Sequence, residues 1–318
     1  PHPDRFARTH TLREARELPL DTAGVRLCGR IMALRHMGQL TFVRLQDFDA
    51  HFQLALSQER LGNETYERFL SLLDVGDFVG AEGKVFRTKR GELTLEVSHY
   101  QVLGKTLRPL PEKWHGLQDQ EICYRKRYLD LLMNEETRKA FRTRFALVRY
   151  LRRFLEDHGF VEVETPVLQN KASGALATPF RTWHKTLDID LYLRIAPETH
   201  LKRCIVGGFD RVYEFARCFR NEGMDASHLQ DFTLLEFYAA YWNYEDNMNF
   251  TEELIRHLIK DLMGTLKIKI KSRDGKFVDV DFNPPWPRLD FAKLIEKDCG
   301  IKIFNYTDDA DALRTAIK

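Results

Sequence analysis

The segment Arg211-Val212-Tyr213-Glu214-Phe215-Ala216-Arg217-Cys218-Phe219-Arg220-Asn221-Glu222-Gly223 is followed by Ser227-His228-Leu229-Gln230-Asp231-Phe232-Thr233-Leu234-Leu235-Glu236-Phe237-Tyr238. It reads as strand, polar loop, strand. Successive side chains of a strand point to opposite faces. Arg220 and Glu222 are therefore expected on one face of the first strand, and Phe232, Leu234, Glu236 and Tyr238 on one face of the second. A cation, an aromatic plate and two acids would then meet on one patch of sheet. That combination suits a nucleotide together with a cationic small molecule. Arginine forks onto phosphate, an aromatic ring stacks on a base, and carboxylates hold an ammonium. The plainer alternative is a half-buried hairpin with paired charges, in which Glu236 pairs with Arg220 and His228 is an ordinary loop histidine.

Such a patch needs a scaffold. The chain has 318 residues, 30% of them charged and 43% hydrophobic, which predicts a globular protein of two domains. The net charge of +2 is too balanced to signal nucleic acid by itself, so any RNA would bind a local surface. The five cysteines are scattered with no CxxC pair, so neither a disulfide framework nor a zinc site is indicated. Reduced thiols point to the cytoplasm. No apolar run approaches the ~20 residues of a membrane span, so no membrane partner is expected.

Short alternating runs fill residues 22–107. One contains Val25, Leu27, Gly29 and Ile31. In the next, Thr41, Val43 and Leu45 oppose Phe42, Arg44 and Gln46. In the third, Phe52, Leu54 and Leu56 oppose Gln53 and Ala55. A helix is expected over 64–73, then strands around Val79–Phe86 and Leu93–Val97 joined by the turn Thr88-Lys89-Arg90-Gly91. This order predicts a five-stranded OB barrel. Leu107-Arg108-Pro109-Leu110-Pro111 is a stiff linker. Helical spacing of Phe141, Phe145, Val148, Leu151 and Leu155 then predicts a long helix over 138–158, stopped by Gly159. Strands recur near Leu191–Ile195, Val212–Arg220 and Thr233–Tyr238, and a helix covers Phe250–Met263. The fold class is α+β, an N-terminal barrel followed by a largely antiparallel sheet flanked by helices. The expected boundaries are 1–107 for the barrel and its N-terminal extension, 108–130 for the linker and 131–318 for the second domain.

Alternation turns Phe42 away from the barrel core, beside Arg44, with Gln53, Glu92 and Thr94 outward on neighbouring strands. OB barrels stack single-stranded bases on such aromatics and read base edges with polar side chains. The alternative is that Phe42 packs against the adjoining domain.

The stretch Phe219-Arg220-Asn221-Glu222-Gly223 resembles motif 2 of the class II aminoacyl-tRNA synthetases, in the form typical of the lysyl enzymes. His158-Gly159-Phe160-Val161-Glu162-Val163-Glu164-Thr165-Pro166-Val167-Leu168 resembles their motif 1, and 29–43 resembles the anticodon-binding barrel of the lysyl, aspartyl and asparaginyl group. Further matches are Gly116-Leu117-Gln118-Asp119-Gln120 and Arg127-Tyr128-Leu129-Asp130. The resemblance implies activation of L-lysine with ATP and transfer to tRNA(Lys), by a homodimer with Pro166 at its interface. It gives Arg220 the central catalytic place, bridging the lysine carboxylate and the ATP α-phosphate, where it would align the reactants and offset developing charge. Glu222 would accept from the adenine amino group, Phe232 would stack on adenine, and His228 would reach the outer phosphates. Lysine would lie on Gly174, Glu198, Arg220, Glu236 and Tyr238, with Glu198 on the α-ammonium and Glu236 on the ε-ammonium. Read locally, Glu198 is also a first-turn acid favoured by the helix dipole. In the barrel, Phe42, Gln53, Glu92 and Arg35 become anticodon readers.

The resemblance also implies a third motif, with an arginine on ATP and carboxylates for Mg2+. Residues 1–318 contain neither, so the Mg2+ ligands are expected beyond Lys318, and this segment alone is not expected to activate lysine. The rivals are an aspartyl or asparaginyl enzyme, whose anionic substrate would want cations where Glu236 stands, and a non-catalytic tRNA-binding fragment.

Overall fold

The computed structural model describes residues 5–111, 117, 119–225, 227–272 and 274–317. Gly116, Gln118 and Lys318 lie outside the described residues. The chain divides into two compact units, 1–141 and 142–318.

The first unit begins with α1 (Leu12–Ala15), continues through β1 (Val25–Met37), β2 (Leu40–Gln46) and β3 (His51–Ser57), then α2 (Gln58–Leu61) and α3 (Asn63–Leu72), and returns as β4 (Phe78–Arg87) and β5 (Leu93–Gly104). The five strands close into a barrel in the order β1-β2-β3-β5-β4. Alternation produces it. Leu27, Ile31, Val43, Leu45, Leu54, Leu56, Val85, Leu95 and Val97 are buried inward, and α1 and α3 add Leu12, Tyr66 and Phe69 to the same core. Gly83 is required where β4 crosses β5, because a Cβ there would stand 1.9 Å from the Glu96 carbonyl oxygen. The barrel strands thus match their expected positions. Thr94 does not. It is 0% exposed, because Gln53 Nε2 reaches across from β3 and donates to its hydroxyl at 2.9 Å.

Beyond the barrel come two short helices, α4 (Gln120–Arg125) and α5 (Arg127–Met133), and the long α6 (Glu135–Asp157). Asp130 of α5 is buried and accepts from Arg127, Asn134 and Thr137.

The second unit contains β6 (Val161–Glu162), β7 (Leu168–Gln169), β8 (Arg181–His184), β9 (Ile189–Leu193), α7 (Glu198–Val206), β10 (Arg211–Phe219), β11 (Asp231–Ala239), α8 (Tyr244–Met263), β12 (Lys267–Lys271), β13 (Phe277–Asp281), α9 (Phe291–Cys299) and α10 (Ala310–Ile317). The central sheet has the order β11-β10-β6, with β7-β9-β8 forming a second. β10 and β11 are antiparallel from Arg211 opposite Ala239 to Phe219 opposite Asp231, and β6 runs parallel to β10. Parity divides the faces. Tyr213, Phe215, Leu235 and Phe237 cluster with Phe154 and Leu155 of α6 and Phe250 and Leu254 of α8. The opposite face carries Val212, Glu214, Ala216 and Cys218 beside Phe232, Leu234, Glu236 and Tyr238, and α7 packs against both strands. Helix α8 starts earlier than its apolar spacing suggests. Asn243 caps it by accepting from the amides of Glu245 and Asp246, with Asp246 returning the bond, so a polar first turn precedes Phe250.

Candidate active site and nucleic-acid interface

The face of β10 and β11 opposite α6 and α8 collects acids. Glu214 and Glu236 are directly opposed in the ladder. Glu214 lies almost wholly buried, yet its charge is matched. Arg194 Nη1 donates to Glu214 Oε1 at 2.6 Å and Thr165 Oγ1 to Oε2 at 2.6 Å. Arg194 also donates through Nε to the Arg217 carbonyl oxygen at 2.8 Å and through Nη1 to that of Thr165 at 3.0 Å. One guanidinium therefore ties Thr165, between β6 and β7, to β10. Sequence reasoning missed this pair. The signal was present, since Glu214 is a charge on an otherwise apolar parity and Arg194 precedes Ile195 and Ala196.

Glu236 has a different environment. Its one described hydrogen bond comes from Tyr238 Oη at 3.2 Å. Burial pushes its carboxyl above the usual glutamate range. The Tyr238 bond pulls it back, and the charges of Glu198 and Glu214 push it further up. Burial, followed by the Glu236 and Glu198 charges, likewise raises the Tyr238 phenol. A desolvated carboxylate beside other acids is short of a cation.

Glu198 opens α7. Its neighbour is Gly174, whose φ of +88° favours glycine, and a Cβ there would meet the Glu198 Cβ at 3.0 Å. Ser173 Oγ and Thr199 Oγ1 are 2.9 Å apart, which holds the 173–174 loop on the start of the helix. Lys202, one turn on, places Nζ 2.5 Å from Glu198 Oε1 and 5.9 Å from the Tyr238 ring centroid. The structure thus brings Gly174, Glu198, Glu236 and Tyr238 near one another.

Arg220 and Glu222 lie past the end of β10, so strand alternation does not set their direction; that expectation is corrected. One more rung forms, from the Arg220 amide to the Gln230 carbonyl at 2.8 Å, and the chain then turns so that the Asn221 amide donates to the Thr178 carbonyl at 2.8 Å. Glu222 Oε1 accepts from the Thr178 amide at 3.2 Å. The Arg220 guanidinium stands 5.0 Å from the Phe232 ring centroid, within cation–π range. Its Nε is buried and meets no hydrogen-bond partner among the described residues. A buried guanidinium N–H with no acceptor is what an incoming phosphate or carboxylate oxygen would satisfy. His228 lies in the loop between β10 and β11. Its Nδ1 lies 2.8 Å from Asp225 Oδ2, with both side chains largely exposed.

On the barrel, Arg35 faces Phe42 across β1–β2, Arg44 faces Gln53 across β2–β3, and Gln53 faces Thr94 across β3–β5. Phe42 and Gln53 are half-buried and Arg35 exposed. An aromatic, two arginines and an amide therefore share an outer face. Glu92 precedes β5. It is exposed in the turn, where its amide donates to Thr88 Oγ1 at 3.1 Å, so its place does not follow from strand parity. Pro166 is exposed between β6 and β7, alongside exposed Val167 and Leu168.

Comparison with known proteins agrees with this architecture. Residues 119–318 match a family model described as tRNA synthetases class II (D, K and N), and residues 25–103 match an OB-fold nucleic acid binding domain. The chain belongs to the class II tRNA synthetases of the D, K and N group. Among curated relatives, a lysine–tRNA ligase of Aquifex aeolicus is 48% identical over 92% of this chain and 48% of its own length. One from Pelotomaculum thermopropionicum is 46% identical over 95% and 59%, and one from Thermosipho africanus 42% over 97% and 62%. The chain therefore spans 48 to 62% of the length of these relatives.

Proposed function

We propose that this chain belongs to an enzyme that activates L-lysine with ATP and transfers it to tRNA(Lys). The observation that carries the reading is the desolvated Glu236, hydrogen-bonded only by Tyr238 among the described residues and set beside Glu198 and Glu214. An ε-ammonium meets that need. The side chain of aspartate or asparagine would leave it unmet, which favours lysine within the group. The relatives named as lysine–tRNA ligases support the same choice.

In this reading Glu198 and the Gly174 loop take the α-ammonium, and Glu236 with Tyr238 takes the ε-ammonium. Arg220 receives the lysine carboxylate and the α-phosphate on its guanidinium fork, one of them on the unpartnered Nε. No general base is required, because the carboxylate is already the nucleophile and pyrophosphate leaves. Catalysis consists of alignment and charge stabilisation. Phe232 serves as the adenine platform once Arg220 turns to its anions. Glu222 accepts from the adenine amino group, and His228 reaches the outer phosphates. Mg2+ would neutralise the phosphates, but the described residues offer no group of three or more ligating side chains, so none is assigned to it. Arg35, Phe42, Gln53 and Glu92 read the anticodon. Pro166 and its exposed apolar neighbours belong to a homodimer surface. Among the described residues no helix is long and apolar enough to cross a membrane, and all five cysteines are free, which agrees with a cytoplasmic site of action.

The test is Glu236→Gln in the full-length protein. Lysine binding should weaken by about 2 kcal/mol or more, the scale for unpairing a buried charge, while ATP affinity changes less than about twofold. Equal loss for both ligands would sink the assignment.

A further inference from the structure

The acidic cluster already contains an ammonium, that of Lys202. Of the three carboxylates Glu198, Glu214 and Glu236, two have cationic partners. Arg194 holds Glu214 at 2.6 Å, and Lys202 holds Glu198 at 2.5 Å. Glu236 has only Tyr238 among the described residues. Arg194 is buried and fixed by four hydrogen bonds. Lys202 is not fixed in this way. Its side chain is 57% exposed, and it meets Glu198 and the Tyr238 ring. Lysine as a ligand brings two ammonium groups to Glu198 and Glu236, and the first of these positions is occupied by a group of identical chemistry from the protein itself.

We infer that Lys202 is an internal placeholder: it holds Glu198 while the pocket is empty and yields it to the α-ammonium of the ligand. This role rests on the lysine-binding reading above. The geometry suits both halves of the exchange. A glutamate one helical turn before a lysine is the favourable order for an i,i+4 pair, so Glu198 is directed before the ligand arrives. An exposed pair of this kind is weak, and a flexible four-carbon stem lets the ammonium withdraw to water. Lys202 is thus a specificity-determining residue. It competes with ligands that carry an α-ammonium and ignores those that do not.

The experiment compares L-lysine with 6-aminohexanoate, which has the carboxylate and terminal ammonium but no α-ammonium. Calorimetric titration of the full-length protein and its Lys202→Met variant should show lysine binding tightened about two- to fivefold, the strength of an exposed pair, with 6-aminohexanoate unchanged. Lysine binding that is unchanged or weaker, or an equal shift for both ligands, overturns the proposal. A ligand-free measurement reads the pair directly. Reductive methylation of Lys202, monitored by mass spectrometry, should be faster in Glu198→Gln than in the wild type. Equal rates would show that the pair does not form, and the proposal falls even if lysine binds. Wild-type protein that binds neither ligand overturns the lysine reading and the placeholder with it, and the methylation rates still report whether the Glu198–Lys202 pair exists.

Discussion

At the scale of single residues, the site is a problem in charge. Glu236 is held above the ordinary glutamate range by burial and neighbouring acids. A carboxyl whose folded pKa is raised contributes stability below its unfolded pKa and loses it as pH rises through the folded value. In the free protein, Glu236→Gln should therefore match wild type in acid and melt higher at neutral pH, which a pH series of thermal melts would show. If lysine binds as proposed, on the ionised Glu236, its affinity should fall on acidification at a pH above that of an ordinary glutamate; a fall only within the usual carboxylate range would contradict desolvation of Glu236. Arg194 has the opposite character. Arg194→Leu leaves Glu214 buried and unpaired and should cost about 3–5 kcal/mol. The double variant Arg194→Leu/Glu214→Leu should recover most of it, as measured by chemical denaturation. A single variant as stable as the double would show that the pair is not buried in solution.

At the scale of elements, legibility depended on whether a pattern is local. Period-two alternation located all five barrel strands, because one face of each is apolar and the other is not. It also located β10 and β11. It failed where a side chain's surroundings come from elsewhere in the chain. Thr94 has outward parity but is covered by Gln53. Arg220 and Glu222 lie past the last full ladder pair, where the Thr178 loop takes over the backbone bonds. The Arg194–Glu214 pair joins residues on different elements, and no spacing rule relates them. Tyr244 opens α8 because Asn243 caps it, although the apolar repeat begins only at Phe250. On the barrel, Phe42 retains its two readings, and they separate cleanly. If its ring is a base platform, Phe42→Ala should weaken an RNA hairpin carrying the lysine anticodon by about 1–3 kcal/mol with little change in melting temperature. Unchanged RNA affinity with a lowered melting temperature would assign the ring to packing instead.

At the scale of the whole molecule, each unit carries its own core. That of the first is complete between Leu12 and Val102. A fragment of residues 5–111 should therefore fold by itself and melt cooperatively; a non-cooperative melt would mean that the barrel needs the second unit for its stability. In the second unit, Thr178 joins the loop of Gly174 to the motif 2 turn through two bonds, one from the Asn221 amide and one to Glu222. The loop belongs to the proposed lysine side and the turn to the ATP side. Ordering imposed on Thr178 by one ligand is thus inherited by the other. The two affinities become linked quantities: whatever factor lysine confers on ATP, ATP must return to lysine, and Thr178→Pro, which removes the backbone N–H that Glu222 accepts from, should change both by one and the same coupling energy.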